Sequence, residues 1–267
     1  MDSGPDVSMS DLTMTVLGCN SGGPTRGVGA SGYLVTADTT SLVLDMGSGT
    51  LQPLFGVLPD VPDAVVVTHR HVDHLADLFG LYGYIAAERR AGRTRSALRV
   101  IAPAGVEEAF AGALQAGPTH GYRDIVTFEE PTPGEVITVG VLECAFAEAN
   151  HSVPAIAVRV SHLRRSLTYT GDTGPSSKVE ELAAATDLLI AEAGNDRDQS
   201  TPYPFHLTVA GAVTMASRSA AGQLLLTHLH LDATVDDVVA AVAAAKYPGE
   251  VQLAAPGLTI TLEEETF

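Results

Sequence analysis

The chain carries the segment Thr68-His69-Arg70-His71-Val72-Asp73-His74, which places three imidazoles and one carboxylate within six positions. The segment directly follows residues 64–67, an apolar run typical of a buried strand. Histidine and aspartate side chains this close are costly to desolvate unless a positive charge holds them together. Neutral imidazole binds zinc, manganese or iron, and a carboxylate favours harder cations and bound water. The spacing therefore predicts a divalent-metal site at the end of a strand.

Three later residues offer further ligands, and each lies just after a strand-like apolar run. They are His151, Asp172 and His228. One segment cannot fill two coordination spheres, so ligands from distant loops are required. Together the predicted metal ligands are His69, His71, Asp73, His74, His151, Asp172 and His228. Seven ligands suit two divalent cations that share one carboxylate and one hydroxide.

The order HxHxDH, then His, Asp and His, resembles the metallo-β-lactamase superfamily of binuclear metallohydrolases, over residues 12 to 263. The resemblance implies an α/β fold, a four-layer αββα sandwich. It also implies a first metal held by His69, His71 and His151, a second held by Asp73, His74 and His228, and Asp172 as the bridge between them. The true metallo-β-lactamases have a cysteine at the position of Asp172, and its absence here argues against β-lactam hydrolysis.

Two further segments resemble the ribonuclease Z branch, which includes class II cyclic-nucleotide phosphodiesterases. Residues 188–193 are similar to its strand-borne glutamate motif, and residues 205–208 to the histidine that pairs with that glutamate. The glycine-rich residues 17–26 are similar to the first loop of the branch. The resemblance implies that His206 donates a proton to the leaving group and that Glu192 orients its ring.

The predicted reaction is therefore hydrolysis by a hydroxide that bridges two cations, with Asp73, Glu192 and His206 as catalytic residues. We expect the cations to be zinc, although manganese and iron also fit these ligands. Asp73 would orient the hydroxide as well as bind metal. The expected substrate is a small phosphodiester such as a cyclic nucleotide. The alternatives are a lactonase or thioesterase on the same metal site, and a binding protein that has kept the fold without turnover.

Length and composition favour one catalytic domain. The chain has 267 residues, of which 45% are hydrophobic, and the predicted ligands spread over most of it. We expect a flexible acidic tail at residues 1–10 and a single domain at residues 11–267. No apolar run approaches the ~18–20 residues that span a bilayer, and no export signal is evident, so a cytoplasmic enzyme is expected. Cys19 and Cys144 are expected to be reduced thiols.

The net charge of −17 bears on the choice of partner. A protein that grips folded RNA needs a basic surface for phosphates. The densest basic run, residues 88–95, is interpreted as a solvated helix end, and no insertion resembles the tRNA-binding arm of ribonuclease Z. Transfer RNA is thus an unlikely partner and a small molecule the expected one. The resembled enzymes are often dimers, so a homodimer is possible.

Strand-like and helical patterns alternate along the chain, and we expect two packed sheets with helices outside. Residues 75–91 have helical spacing, and the Thr132-Pro133-Gly134 turn is typical of a hairpin.

Asp45 either supports the metal loop through hydrogen bonds or forms a local turn. Tyr82 and Tyr84 line either the core or a substrate pocket, with the core preferred. His120, His162 and His230 have no motif support.

Overall fold

The computed structural model describes residues 11–93, 96–115, 121–132, 134–195, 204–229 and 234–264. In these residues the strands are β1 (Leu12–Gly18), β2 (Gly32–Ala37), β3 (Thr40–Leu44), β4 (Ala64–Val66), β5 (Leu98–Ile101), β6 (Val126–Glu129), β7 (Val136–Val139), β8 (Leu142–Glu148), β9 (Ile156–His162), β10 (Arg165–Tyr169), β11 (Leu188–Ala193), β12 (Gln223–Leu229), β13 (Glu250–Leu253) and β14 (Thr259–Leu262). The helices are α1 (Leu51–Val57), α2 (Val72–Arg90), α3 (Val106–Ala113), α4 (Ser177–Leu182), α5 (Val209–Arg218) and α6 (Val235–Ala245).

The strands form two seven-stranded mixed sheets. The first has the order β14-β1-β2-β3-β4-β5-β6, and the second β13-β12-β11-β10-β9-β8-β7. Strands β3 to β6 are parallel in the first sheet, as are β10 to β13 in the second. Parallel neighbours need crossover connections, which the helices supply. The carboxyl ends of these parallel strands carry the loops that supply most of the predicted site residues.

Three apolar clusters hold the layers together. The first lies between the sheets and includes Leu44, Val66, Val158 and Leu225, all fully buried. The second packs α1, α2 and α3 onto the outer face of the first sheet, and the third packs α4, α5 and α6 onto the second sheet. Burial of these faces is the main stabilising contribution to a layered fold. The arrangement is the αββα sandwich that was predicted.

Helix α2 begins at Val72, three residues before the predicted start. His71 is the extended residue before the first turn, and the amide of His74 donates to its carbonyl over 3.0 Å. Asp73 and His74 thus lie in the first helical turn rather than in a loop, and Asp73 is favoured there by the helix dipole. The helix was predicted, but its start was placed too late, because the polar side chains of Asp73 and His74 interrupt the apolar period by which the helix was recognised.

The predicted hairpin at residues 132–134 is also wrong. The amide of Glu135 donates to the carbonyl of Thr132, so a tight turn is present, although Pro133 lies outside the described residues. The strands on either side, β6 and β7, belong to different sheets. The turn therefore carries the chain from one sheet to the other, and local turn chemistry could not reveal this.

Several features away from the site agree with expectation. Arg93 pairs with Glu88 at the exposed end of α2, while residues 94 and 95 lie outside the described part of the chain. Tyr82 is half-buried and packs edge-on against Phe110 beneath α2, as preferred, whereas Tyr84 is exposed and packs against Phe55, so the core interpretation is wrong for Tyr84. Both cysteines are free thiols, and burial raises the pKa of Cys19 to about 11 and that of Cys144 to about 12. Among the described helices, none has the length and apolar character needed to cross a bilayer.

Candidate metal centre and adjoining acid–base pair

Four predicted ligands surround one candidate cation position. The ligand atoms of His69, His71, His151 and Asp172 all lie within 4.8 Å of one another. Nδ1 of His71 is 3.0 Å from Nε2 of His69 and 3.1 Å from Nε2 of His151. Nδ1 of His151 lies 3.0 Å from the carbonyl of Phe205, to which it donates, and this hydrogen bond leaves Nε2 as the nitrogen that faces the group.

A second group is formed by Asp73, His74 and His228. Oδ2 of Asp73 is 3.6 Å from Nε2 of His74 and 3.2 Å from Nε2 of His228. Oδ1 of Asp172 is 3.3 Å from Nε2 of His74 and 3.5 Å from Nε2 of His228, whereas its Oδ2 is 3.7 Å from Nε2 of His69. Asp172 thus directs one oxygen to each group, which is the geometry expected of a bridging carboxylate.

The backbone is specialised where it presents two of these ligands. Gly171, just before Asp172, has a φ of 55°, and a Cβ on it would lie 2.8 Å from Cβ of Thr68. A side chain there would collide with the strand that leads to His69. His228 has a φ of 49° within β12, where the pairing with β11 shifts register. A left-handed non-glycine residue inside a strand is strained, and such strain is concentrated at functional sites.

Asp45 holds residues of the candidate centre in place through hydrogen bonds. Its carboxylate is fully buried and accepts from the amide of Thr68 over 2.7 Å and from the hydroxyl of Thr68 over 2.8 Å. It also lies 2.7 Å from Nδ1 of His74 and accepts from the hydroxyl of Tyr169 over 2.9 Å. Because Nδ1 of His74 is held by Asp45, Nε2 is directed into the centre. Of the two interpretations of Asp45, hydrogen-bonded support of the metal loop is the one that the structure bears out.

The donor set fits divalent cations. Nε2 of His74 and Oδ1 of Asp172 are buried yet make no hydrogen bond in the described part of the chain. Buried polar atoms are normally satisfied, so two unsatisfied atoms aimed at the same place indicate a missing positive partner. Burial lowers the pKa of His69, His71 and His151, which keeps these imidazoles neutral and able to bind metal.

The two carboxylates in the centre are held ionised. Burial opposes ionisation of Asp172, but His228 and His74 outweigh it and keep the pKa of that carboxyl well below its usual range. Burial also opposes ionisation of Asp73, but the hydrogen bond with His228 and the charges of His74 and His228 together lower the pKa of its carboxyl. Conversely, burial opposes protonation of His74 and His228, but Asp172 together with Asp45 raises the pKa of His74, and Asp172 together with Asp73 raises that of His228. The protein groups alone therefore attract positive charge into this space, a role that a cation would fill.

Beside the centre lies the pair Glu192 and His206. Glu192 is fully buried on β11 and accepts from the amide of Thr173 over 2.9 Å and from the amide of Gly194 over 2.7 Å. Nδ1 of His206 lies 2.8 Å from Oε1 of Glu192. Burial opposes protonation of His206, but the hydrogen bond and charge of Glu192 raise the pKa of its imidazole. The ring of His206 stacks 5.7 Å from that of His228, so it borders the candidate centre.

Two glycines at the site carried no signal for these roles in the sequence. The amide of Gly22, in the glycine-rich first loop, donates to Oδ2 of Asp73 over 2.8 Å. A Cβ on Gly194 would lie 3.0 Å from Nδ1 of His228 and 3.2 Å from both Glu192 and His206. Of the histidines without motif support, His162 is buried at the end of β9. His120 and His230 lie outside the described residues.

Comparison with known proteins agrees with this geometry. The family model described as "Beta-lactamase superfamily domain" matches residues 40–229, which is more than half of the chain. The chain belongs to the beta-lactamase superfamily. This membership confirms the predicted family and the prediction that the chain is a hydrolase.

Two relatives in the superfamily cover almost the whole chain. The "Probable metallo-hydrolase YhfI" of Bacillus subtilis is 30% identical over 92% of this chain and 98% of its own length. A "Ribonuclease Z" of Mycolicibacterium gilvum is 27% identical over 91% of this chain and 93% of its own. The family model by itself covers all the predicted site residues, from His69 to His228.

Solved superfamily structures have the same architecture. The crystal structure of YhfI superposes with a TM-score of 0.83 at 28% identity, covering 94% of this chain and 99% of that one. A "New Diphosphatase from the PhnP Family" superposes with a TM-score of 0.73 at 20% identity, covering 94% and 97%. These likenesses confirm the predicted fold class.

Proposed function

We propose that this chain is a binuclear metal-dependent phosphodiesterase that acts on a small phosphodiester, such as a cyclic nucleotide. The observation that carries the proposal is the hydrogen-bonded pair of Glu192 and His206 beside a cluster of seven metal-ligand side chains. A carboxylate that orients an imidazole at the border of a metal centre suits protonation of a leaving alkoxide. Phosphodiesters with alkoxide leaving groups need that help more than activated thioesters do.

The ligand side chains would hold the cations as two groups joined by Asp172, most simply as zinc. Divalent cations supply a hydroxide nucleophile at neutral pH and neutralise charge on the phosphoryl oxygens. Nδ1 of His206 donates its proton in the hydrogen bond to Glu192. The proton for the leaving oxygen would therefore come from Nε2 of His206. Asp73 is fixed on one side by the amide of Gly22 and on the other by His228, and it would orient the nucleophile.

The surface charge supports a small substrate. A net charge of −17 repels a polyanion, because RNA binding relies on release of counterions by basic side chains. We therefore expect this chain to share the chemistry of ribonuclease Z but not to bind transfer RNA. A single catalytic domain, a homodimer and a cytoplasmic location stay predictions.

The proposal is tested with a substrate panel. Wild type of measured metal content would be assayed on a cyclic nucleotide, bis(p-nitrophenyl) phosphate, a thioester and a lactone. We expect turnover of both phosphodiesters and loss of cyclic-nucleotide turnover by about 10²-fold or more in His206→Ala, in the range known for general acids. His162→Ala is the matched control, because it removes a histidine at the end of β9, outside the candidate centre.

The same panel decides against the proposal if turnover is confined to the carbonyl substrates. That result would leave the metal centre in place and assign the chain to lactone or thioester hydrolysis. Stoichiometric metal with no turnover of any ester would support a non-catalytic binding protein instead.

A further inference from the structure

A cleft of about 230 Å³ lies between the two sheets, at the ends of β5 and β6 on one side and around β8 and β9 on the other. Its floor is apolar and consists of the buried side chains of Phe146, Ala155 and Ile156. Its rim includes the exposed carboxylates Glu130 and Glu148. None of these residues has a place in the metal centre described above.

One wall of the cleft is joined by backbone hydrogen bonds to the segment that leads into the metal centre. The backbone of Ala155 pairs with that of His69, and the amide of Ile156 donates to the carbonyl of Thr68 over 3.0 Å. On the opposite wall, Ala104 precedes Gly105, and Nη1 of Arg70 lies 3.5 Å from the position of a Cβ on Gly105. Two of the residues that line the cleft, Ala155 and Ile156, therefore lie directly beside the backbone of Thr68 and His69.

The size and polarity of the lining determine which kind of chemical group the cleft can bind. Its volume exceeds that of a single aromatic ring, and the floor offers apolar surface together with the Phe146 ring. Glu148 at the rim pairs with Lys178, Glu130 is exposed, and no basic side chain is among the described residues that line the cleft, so the lining offers no cationic partner for an anionic group. A second phosphate does not suit this place, whereas a flat, uncharged ring does.

We propose that this cleft binds the non-reacting part of the substrate, an uncharged aromatic group such as an aryl ester or a nucleobase. The inference rests on the proposed function in one respect, since it places the phosphorus of the same molecule at the metal centre. The cleft then sets specificity, because burial of the ring contributes binding energy that is independent of the reacting bond.

Two phosphodiesters with the same leaving group test the cleft. Bis(p-nitrophenyl) phosphate and methyl p-nitrophenyl phosphate differ in the non-reacting ester, which is aromatic in the first and small in the second. Ala104→Trp narrows the cleft from an exposed loop position, and Val57→Trp adds the same side chain at an exposed position on α1, outside the cleft. We expect Ala104→Trp to lower kcat/KM for the bis-aryl ester about tenfold and to change that for the methyl ester by less than about twofold. Val57→Trp should change neither.

An equal loss on both esters, or no loss on either, would overturn the inference. If wild type hydrolyses neither ester, the proposed function fails, and the cleft is tested by binding alone. Saturation-transfer NMR with p-nitrobenzyl alcohol would then show transfer to the ring protons from wild type and Val57→Trp, and much less from Ala104→Trp. Equal transfer from all three proteins would contradict binding of an aromatic group in the cleft.

Discussion

Two fully buried carboxylates, Asp45 and Glu192, each hold a histidine by its Nδ1, but at different depths. Asp45 holds His74, whose side chain is 0% exposed, whereas Glu192 holds His206, whose side chain is 16% exposed. A sealed imidazole can bind a metal but cannot exchange a proton with a substrate, whereas a partly exposed one can do so. In the proposed function, the same pair of residue types thus supports metal binding in one region and proton transfer in the other.

Replacing Asp45 should have the largest effect. Asp45→Asn removes a buried charge that satisfies Thr68, His74 and Tyr169, and loss of such a group costs about 3–5 kcal/mol. We expect this loss in the free energy of unfolding together with loss of bound metal, measured by denaturant titration and elemental analysis. Asp38→Asn, at an exposed turn, is the control. Full metal content in Asp45→Asn would show that His74 does not depend on Asp45.

Replacing Glu192 should separate turnover from metal binding. Glu192→Gln keeps the size of the side chain but removes the charge beside His206, so we expect kcat for a cyclic nucleotide to fall by about 10²-fold. Metal content should stay at the wild-type value, which elemental analysis of the same sample would check. Parallel loss of metal and activity would mean that Glu192 serves the centre itself, and the contrast with Asp45 would disappear.

A methyl group at Gly194 should have a smaller effect on the same region. The added Cβ would press on Nδ1 of His228 at 3.0 Å and on Glu192 and His206 at 3.2 Å, so neighbours must move by a few tenths of an ångström. We expect kcat to fall about tenfold in Gly194→Ala, since small displacements of catalytic groups are costly. Gly112→Ala adds a methyl where no atom lies within 4 Å and should leave kcat unchanged. An unaffected Gly194→Ala enzyme would argue against a tightly positioned His206.

The smallest effect is expected for Tyr169→Phe. This change removes one of the hydrogen bonds to Asp45 and leaves the other donors in place, so it should destabilise the protein by about 1 kcal/mol. A several-fold weaker metal affinity should accompany it, measured by competition with a chelator. An unchanged affinity would show that the two hydrogen bonds from Thr68 suffice to hold Asp45.

Much of the candidate site could be predicted from the sequence because its signals are local or ordered along the chain. The segment from His69 to His74 is dense enough to identify alone, and the order of His151, Asp172 and His228 extends it. The donors that hold these residues could not be predicted. The amide of Gly22 and the hydroxyl of Tyr169 reach Asp73 and Asp45 through the tertiary fold, and neither carries a distinctive spacing.

The fold class could be predicted because its motifs are ordered along the chain, whereas the sheet to which some strands belong and the start of α2 could not. Strand β6 and strand β7 are four residues long, and the turn between them changes sheets, which local patterns do not encode. Helix α2 was placed too late because its first turn carries ligands instead of apolar residues. Asp73 and His74, which are predicted to bind metal, thus interrupt the apolar pattern on which the prediction of the helix depended.

Protonation of the leaving group by His206 is tested most directly by the dependence of rate on the leaving group. Wild type and His206→Ala, each with measured metal content, would be compared on phosphodiesters that release an alkoxide and on diesters that release p-nitrophenolate. We expect a loss of about 10²-fold or more for alkoxide release and a much smaller loss for p-nitrophenolate, which leaves without a proton. Equal losses on both substrates would contradict a role for His206 as the general acid.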